Sequence, residues 1–235
     1  MPKRQKKEEM ASYKKNDNRT TLGREISDKA LDIEEKSFDI IDREICSHSY
    51  NELEWNIVRR VIHATADFDF ARSGLIIFHE NAIEAAFQAI KNKCSIITDV
   101  EMVLSAINKK SLTNLGLRIQ CNISNPEVIN EARKLNKTRS QMAMRCTATE
   151  MNGGIVVIGN APTALYETIN MIREGITKPA LVVGVPVGFV SAAESKNELS
   201  KLDIPFITNL GRKGGSPAAA SIINAIMLLY QSRPR

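Results

Sequence analysis

The sequence lacks any hydrophobic run long enough to cross a membrane. No stretch approaches the roughly 20 consecutive apolar residues that a transmembrane helix requires. The first 25 residues contain no apolar segment of the kind that forms the core of a secretory signal. We therefore expect a cytoplasmic protein that has no part in a membrane.

Cysteine is also scarce, and the phosphate-binding glycine motifs are missing. The four cysteines are far apart, and no histidine stands near them at the spacing of a zinc site. We interpret them as reduced thiols, since free cysteine behaves as a small buried hydrophobe. Neither G-x-x-x-x-G-K-[ST] nor a strand-linked G-x-G-x-x-G occurs. These absences argue against a metal site and give nucleotide binding little support.

Charge is distributed unevenly. Residues 1–24 contain eight Lys and Arg against three acidic residues, an excess that equals the net charge of +5 for the whole chain. This polar segment has few aliphatic residues that could anchor it, so we predict a basic, disordered extension over residues 1–25. We predict a single α/β domain over residues 26–235. Its neutrality argues against nucleic acid as a partner, whereas binding through the extension would depend strongly on salt.

From residue 26 onward, helical periodicity alternates with short apolar runs. Predicted helices cover 28–45, 52–62, 80–92, 162–174, 191–201 and 217–230, and two more begin at Asn125-Pro126 and Thr138. Predicted strands cover 94–98, 117–121, 155–158, 180–185 and 205–208. This alternation predicts a three-layer α/β sandwich with a mostly parallel central sheet.

Ligands of such sheets bind at the carboxyl ends of the strands, where loops lead into helices. The loop 211–216 precedes a helix of small residues, so its amides predict an anion site to which Arg212 and Lys213 add charge. In the loop 159–163, we expect the amides near Asn160 and Ala161 to be free for a ligand. A tight structural turn explains either loop equally well.

Caps and charges at helix ends give further expectations. Thr138 with Gln141, and Ser191 with Glu194, have capping-box spacing. Arg139 in the first turn of its helix is opposed by the helix dipole, and an anionic ligand would remove that conflict. A solvent-facing arginine is the simpler explanation.

The segment 59–70 has the densest set of polar groups beside apolar ones. If the helix continues to its end, Arg60 and His63 lie three residues apart on one face and can address the same ligand. On its own, a histidine beside Val61 and Ile62 is more simply a core residue.

Several segments together resemble the precorrin-8X/cobalt-precorrin-8 methylmutase family. The most specific strings are IGNAPTAL over residues 158–165 and GVPVGFVSAAESK over residues 184–196. Further matching segments are 33–38, 59–70, 138–140 and 211–216. The resemblance extends from about residue 26 to the C-terminus.

The resemblance implies an isomerase of corrin biosynthesis that moves a methyl group from carbon 11 to carbon 12 of a precorrin-8-type tetrapyrrole. It implies that His63 is catalytic, that Ser37 and Arg60 contact the substrate, that no cofactor is needed, and that two copies form a homodimer with the substrate between them. The substrate carries many carboxylates, which charge-assisted hydrogen bonds recognise well. We therefore add further residues to the predicted substrate-binding set: Thr65, Arg139, Asn160, Gly214, Gly215 and Ser216.

Two questions stay open at this point. A carrier that binds the tetrapyrrole without rearranging it is the alternative function. Whether the substrate already contains cobalt is also undecided, although the string Thr-Ala-Asp-Phe-Asp over residues 65–69 favours the cobalt-first route.

Overall fold

The computed structural model describes Lys29 and residues 31–72 and 75–233. The predicted extension over residues 1–25 lies outside these described residues. The chain divides into two units, Met1–Cys46 and Ser47–Arg235. In the first unit, residues 31–44 form helix α1, within the range predicted to be helical.

A six-stranded sheet forms the centre of the second unit. Its strands are β1 (Ile76–Phe78), β2 (Ser95–Thr98), β3 (Arg118–Cys121), β4 (Ile155–Ile158), β5 (Leu181–Gly184) and β6 (Phe206–Asn209). The spatial order is β1-β6-β5-β4-β2-β3. Strands β2 to β6 pair in parallel, and β1 runs antiparallel to β6. Every residue of β4, β5 and β6 is buried, as expected for parallel strands covered on both faces.

Two layers of helices cover the sheet. The helices are α2 (Glu52–Thr65), α3 (Asp69–Arg72), α4 (Ala82–Lys91), α5 (Glu101–Ala106), α6 (Lys109–Leu115), α7 (Pro126–Lys134), α8 (Arg139–Cys146), α9 (Pro162–Arg173), α10 (Ala192–Leu199) and α11 (Ser216–Ser232). In one layer, α11 packs against α2, α4, α5 and α6; in the other, α7 to α10 pack in sequence. The predicted three-layer α/β sandwich is therefore confirmed. None of the described helices has the length and hydrophobicity needed to cross a bilayer.

Two of the three predicted helix starts are confirmed. Asn125 accepts from the amide of Glu127 with Pro126 in the first turn, and Thr138 and Gln141 form a reciprocal capping box. The box predicted at Ser191 is wrong. An N-cap that bonds through its side chain usually has extended backbone, whereas Ser191 is left-handed with φ 63° and makes no side-chain cap bond.

The sequence patterns missed several short elements. Strand β1 has three residues, too few to show an alternation. Helices α5 and α6 have six and seven residues and lie close together in the chain, so neither completes two turns of helical periodicity. Their presence extends the helical layer on the α11 side of the sheet.

Candidate active site

The strand order reverses between β2 and β4, since β3 lies on one side of β2 and β4 on the other. Ligands commonly bind in the crevice that such a reversal opens at the carboxyl ends of the strands. Here this position is taken by Asp99, a fully buried residue that follows β2. Its carboxylate accepts hydrogen bonds from the amides of Gly159, Asn160 and Ala161 at 3.0, 2.8 and 2.7 Å.

The expectation that the amides of Asn160 and Ala161 are free for a ligand is therefore wrong. Helix α9 has no cap from its own N-cap residue, and Asp99 supplies one from another loop. Burial raises the pKa of Asp99, and the three amide N–H groups oppose this rise because they favour the carboxylate. The side chain of Asn160 is exposed at this loop.

The loop between β6 and α11 differs, because no side chain of the described residues caps the helix that follows it. Helix α11 has no side-chain cap, and Pro217 in its first turn has no N–H to donate. Among the described residues, the amides of Gly214 and Ser216 have no acceptor, whereas the amide of Gly215 donates to the carbonyl of Val185 at 2.9 Å. Amides of this kind at a helix N-terminus favour anions. The predicted anion site thus has its free donors at Gly214 and Ser216.

Glycine allows three of the loops at this edge of the sheet to meet. A Cβ at Gly214, whose φ is 147°, would collide with the carbonyl oxygens of Val185 and Pro186. A Cβ at Gly159 would lie 2.9 Å from the Cα of Ser216. The loops that follow β4, β5 and β6 are therefore in contact. They bring together Asn160, Gly214, Gly215 and Ser216 of the predicted set.

Arg139 is the first residue of α8, which begins beside the start of α9. The hydroxyls of Thr138 and Thr163 lie 3.1 Å apart, which joins the start of α8 to the start of α9. Arg139 is exposed, and it lines a cleft of about 610 Å³ between α7 and α8. Arg139 therefore follows directly after Thr138, the residue that contacts α9.

His63 lies in the last turn of α2, which ends at Ala66 in the left-handed conformation. Val61 and Ile62 are buried, whereas the side chain of His63 is exposed. The interpretation of His63 as a core histidine is therefore wrong. Arg60, one turn earlier, is half-buried, and the Thr65 hydroxyl donates to the carbonyl of Val61 at 2.7 Å.

An ion pair ties the end of α2 to the glycine loop. The Lys213 ammonium donates to Asp67 at 2.7 Å and to Asp69 at 2.5 Å. The pairing raises the pKa of Lys213, chiefly through its hydrogen bond to Asp67. We expected Lys213 to offer its charge to a ligand, but these two carboxylates already offset it. Arg212 is exposed, and its guanidinium lies 5.5 Å from the ring centre of Phe189.

Ser37 lies on α1 in the Met1–Cys46 unit. Its hydroxyl donates to the carbonyl of Ile33 at 2.7 Å, a bond within the helix. The other predicted residues lie in the Ser47–Arg235 unit, on α2, at the start of α8 and on the loops that follow β4 and β6.

Sequence reasoning missed the residues that organise this edge. The role of Asp99 could have been predicted, because an acidic residue directly after a buried strand lies where the loops converge. The pairing of Asp67 and Asp69 with Lys213 spans 146 and 144 residues, so no local pattern predicts it. No cluster of three or more His, Cys, Asp or Glu side chains suited to a metal ion occurs within the described ranges.

The mostly parallel sheet between two layers of helices, with loops and helix N-termini at the carboxyl ends of its strands, defines a doubly wound α/β protein. A sequence model of the precorrin-8X methylmutase family matches residues 32–229. The chain is 49% identical to the cobalt-precorrin-8 methylmutase of Priestia megaterium over 85% of this chain and 88% of the relative. It is 45% identical to the cobalt-precorrin-8 methylmutase of Leptospira interrogans, over 89% and 98%.

A solved structure agrees with these relatives. The precorrin-8X methylmutase of Thermus thermophilus matches with a TM-score of 0.79 and 39% identity, over 85% of this chain and 96% of that one. The chain therefore belongs to the precorrin-8X methylmutase family, and it is an isomerase of corrin biosynthesis. The relatives give no support to a non-catalytic carrier.

Proposed function

We propose that this chain moves the methyl group on carbon 11 of cobalt-precorrin-8 to carbon 12, giving cobyrinate, and that His63 is the acid/base residue. One observation carries the assignment. The exposed imidazole of His63 stands at the end of α2, which Lys213 ties to the open N-terminus of α11. Cobalt in the substrate is supported by the names of the two relatives described above.

The reaction needs little from the protein besides a proton and a fixed substrate. The bond from the methyl group to carbon 11 breaks as the bond to carbon 12 forms, so no external nucleophile or hydride takes part. Protonation of the macrocycle favours the rearranged π-system, and an imidazole titrates near neutral pH. General acid catalysis of this kind typically contributes about 10²–10⁴-fold to the rate.

We assign the carboxylates of the substrate to the donors at the edge of the sheet. The amides of Gly214 and Ser216 have no acceptor among the described residues, and the positive end of the α11 dipole lies behind them. Gly215 stabilises the loop conformation, because its amide donates a hydrogen bond to the carbonyl of Val185. Side chains complete the proposed substrate-binding set: Ser37, Arg60, Thr65, Arg139 and Asn160.

We further propose that the chain acts in the cytoplasm as a homodimer with the substrate between its subunits. The loop after β5 supports the dimer, because Phe189 and Val190 are 84% and 82% exposed there. Adjacent exposed apolar side chains of this size are typical of a surface that another protein covers.

The replacement His63→Ala tests the catalytic assignment. We expect turnover of cobalt-precorrin-8, followed by the visible spectrum, to fall by at least about 100-fold, because the proton donor is lost. The affinity for the corrin product should change by less than about threefold, since the amides and arginines remain. Normal turnover by the variant would contradict the role of His63.

His48→Ala is a matched control, because His48 is an exposed histidine that stacks on Trp55 with ring centres 4.0 Å apart. It should turn over substrate at the rate of the unmodified protein.

The same assay with metal-free precorrin-8 tests whether the substrate contains cobalt. Conversion of the metal-free substrate alone would replace cobyrinate by hydrogenobyrinate as the product.

A further inference from the structure

Lys196 is a charged side chain in the protein interior. It lies on α10, is 1% exposed, and is among the largest fully buried side chains of the described chain. Its ammonium donates to the carbonyl oxygen of Lys213 at 2.5 Å and to Oδ1 of Asn209 at 3.3 Å. Within the described residues both of its acceptors are neutral, and no carboxylate pairs with it.

This arrangement is costly for a residue that serves packing alone. A buried charge without a counter-charge is strongly disfavoured relative to an apolar side chain of similar volume. Burial accordingly lowers the pKa of Lys196 to about 8. Methionine would fill the same space without this penalty, so the position of the ammonium calls for an explanation in terms of what it contacts.

The contacted group is a single peptide carbonyl in the glycine loop. The carbonyl of Lys213 accepts from Lys196 and also from Nδ2 of Asn209 at 2.8 Å. Asn209 is itself fully buried, and its Nδ2 also donates to the carbonyl of Leu210 at 3.0 Å. Two interior donors therefore hold the Lys213 carbonyl on the protein side of the loop.

The same peptide unit contains the N–H of Gly214. The described chain has no cis peptide bonds, and in a trans peptide the N–H points away from the carbonyl. Since the Lys213 carbonyl faces the interior, the Gly214 N–H faces the opposite side, where the described residues provide no acceptor. Hydrogen bonds to a carbonyl also polarise the peptide, which strengthens its N–H as a donor.

We propose that Lys196 is a positioning residue that, together with Asn209, orients and polarises the Lys213–Gly214 peptide so that the Gly214 N–H binds a substrate carboxylate. This inference rests on the proposed function, because it deepens the role of the loop between β6 and α11. It assigns Lys196 no contact with the reacting atoms. Its effect is on carboxylate binding, which is shared by the ground state and the transition state.

The replacement Lys196→Met tests the proposal, with Lys201→Met as the control. Lys201 lies just beyond the end of α10 and pairs with Glu198 at the surface. We expect Lys196→Met to raise KM at least about tenfold with kcat within about threefold, the pattern of lost uniform binding. Lys201→Met should leave both unchanged. An unchanged KM in Lys196→Met would overturn the proposal.

Product binding separates a charge-specific role from a general structural one. Cobyrinate with free carboxylates should bind Lys196→Met at least about tenfold more weakly than it binds the unmodified protein, because charge-assisted bonds are lost. Fully methyl-esterified cobyrinate should bind both proteins alike. Equal weakening for the acid and the ester would show that the variant merely distorts the site, and it would overturn the proposal.

Asn209→Asp decides the question if Lys196→Met does not fold. It is isosteric, keeps Lys196, and removes both N–H donors of the amide, so KM should rise as in Lys196→Met. An unchanged KM would overturn the proposal. Failure of the proposed function is a separate result, because the unmodified protein would then convert neither substrate. Failure of this inference, in contrast, is seen in an active protein whose KM is unchanged by Lys196→Met or by Asn209→Asp.

Discussion

At the scale of single residues, Asp99 decides which of two glycine-containing loops is open to a ligand. Both loops follow parallel strands and lead into helices that begin with proline in the first turn. At α9, Asp99 satisfies three consecutive amides. At α11 the described structure has no equivalent carboxylate, and donors remain. The difference between the two loops therefore comes from one side chain located elsewhere in the sequence.

Asp99→Ala should be strongly destabilising. Buried donors left without a partner cost about 1–3 kcal/mol each, so we expect the free energy of unfolding to fall by about 3 kcal/mol or more. Urea denaturation followed by circular dichroism measures this. Asp203→Ala is the control, because the Asp203 side chain is fully exposed, and its only described ion pair is a 3.8 Å contact with His79. Equal stability of the two variants would show that Asp99 does not hold the loop.

The sequence predicted individual site residues unevenly, for physical reasons. The two caps that use an extended N-cap were predictable, because the bond is local. The Ser191 cap was predicted wrongly, because this residue has left-handed backbone, which the capping-box spacing does not reveal. The exposure of His63 could not be read from its apolar neighbours, and it follows from how α2 packs along α11. The resemblance, rather than periodicity, pointed to this residue.

At the scale of elements, a buried carboxylate holds α8 and α9 together. Glu167 on α9 is 2% exposed and accepts from Nε of Arg145 at 2.5 Å. Lys137, just before α8, lies 3.4 Å from its other oxygen. Because α8 begins with Arg139, this contact helps to fix the start of the helix at the edge of the sheet.

Glu167→Gln should lower the free energy of unfolding by about 2 kcal/mol, since removal of one partner leaves an uncompensated charge near the interior. Thermal unfolding by calorimetry provides the measurement. Glu131→Gln should change stability by less than about 1 kcal/mol, because Glu131 and Lys134 form an exposed pair. If the two variants lose the same stability, Glu167 acts as an ordinary surface carboxylate.

The long elements were predictable and the short ones were not. Helix α9 and strand β4 show a complete apolar pattern, and their predicted limits agree with the structure to within one residue. Strand β1 depends on pairing with β6, which follows it by more than a hundred residues in the chain. Its existence is therefore a property of the assembled sheet, and no local propensity reveals it.

At the scale of the whole molecule, the proposed dimer depends on the exposed loop after β5. The double replacement of Phe189 and Val190 by Ser removes the apolar side chains that we expect a second copy to cover. Sedimentation velocity should show two-chain particles for the unmodified protein and single chains for the variant, with the same circular dichroism spectrum. A single-chain species for the unmodified protein at micromolar concentration would contradict the dimer.

The internal capping of α9 by Asp99 also bears on which other molecules can compete for the protein. Doubly wound sheets often accept dinucleotides at the reversal of strand order. In this chain a phosphate approaching that crevice would meet the side-chain oxygens of Asp99, which already occupy the amide donors that the phosphate needs. We therefore expect nucleotide phosphates to bind poorly at this edge of the sheet, which leaves the neighbouring loops to the tetrapyrrole that we propose as the substrate.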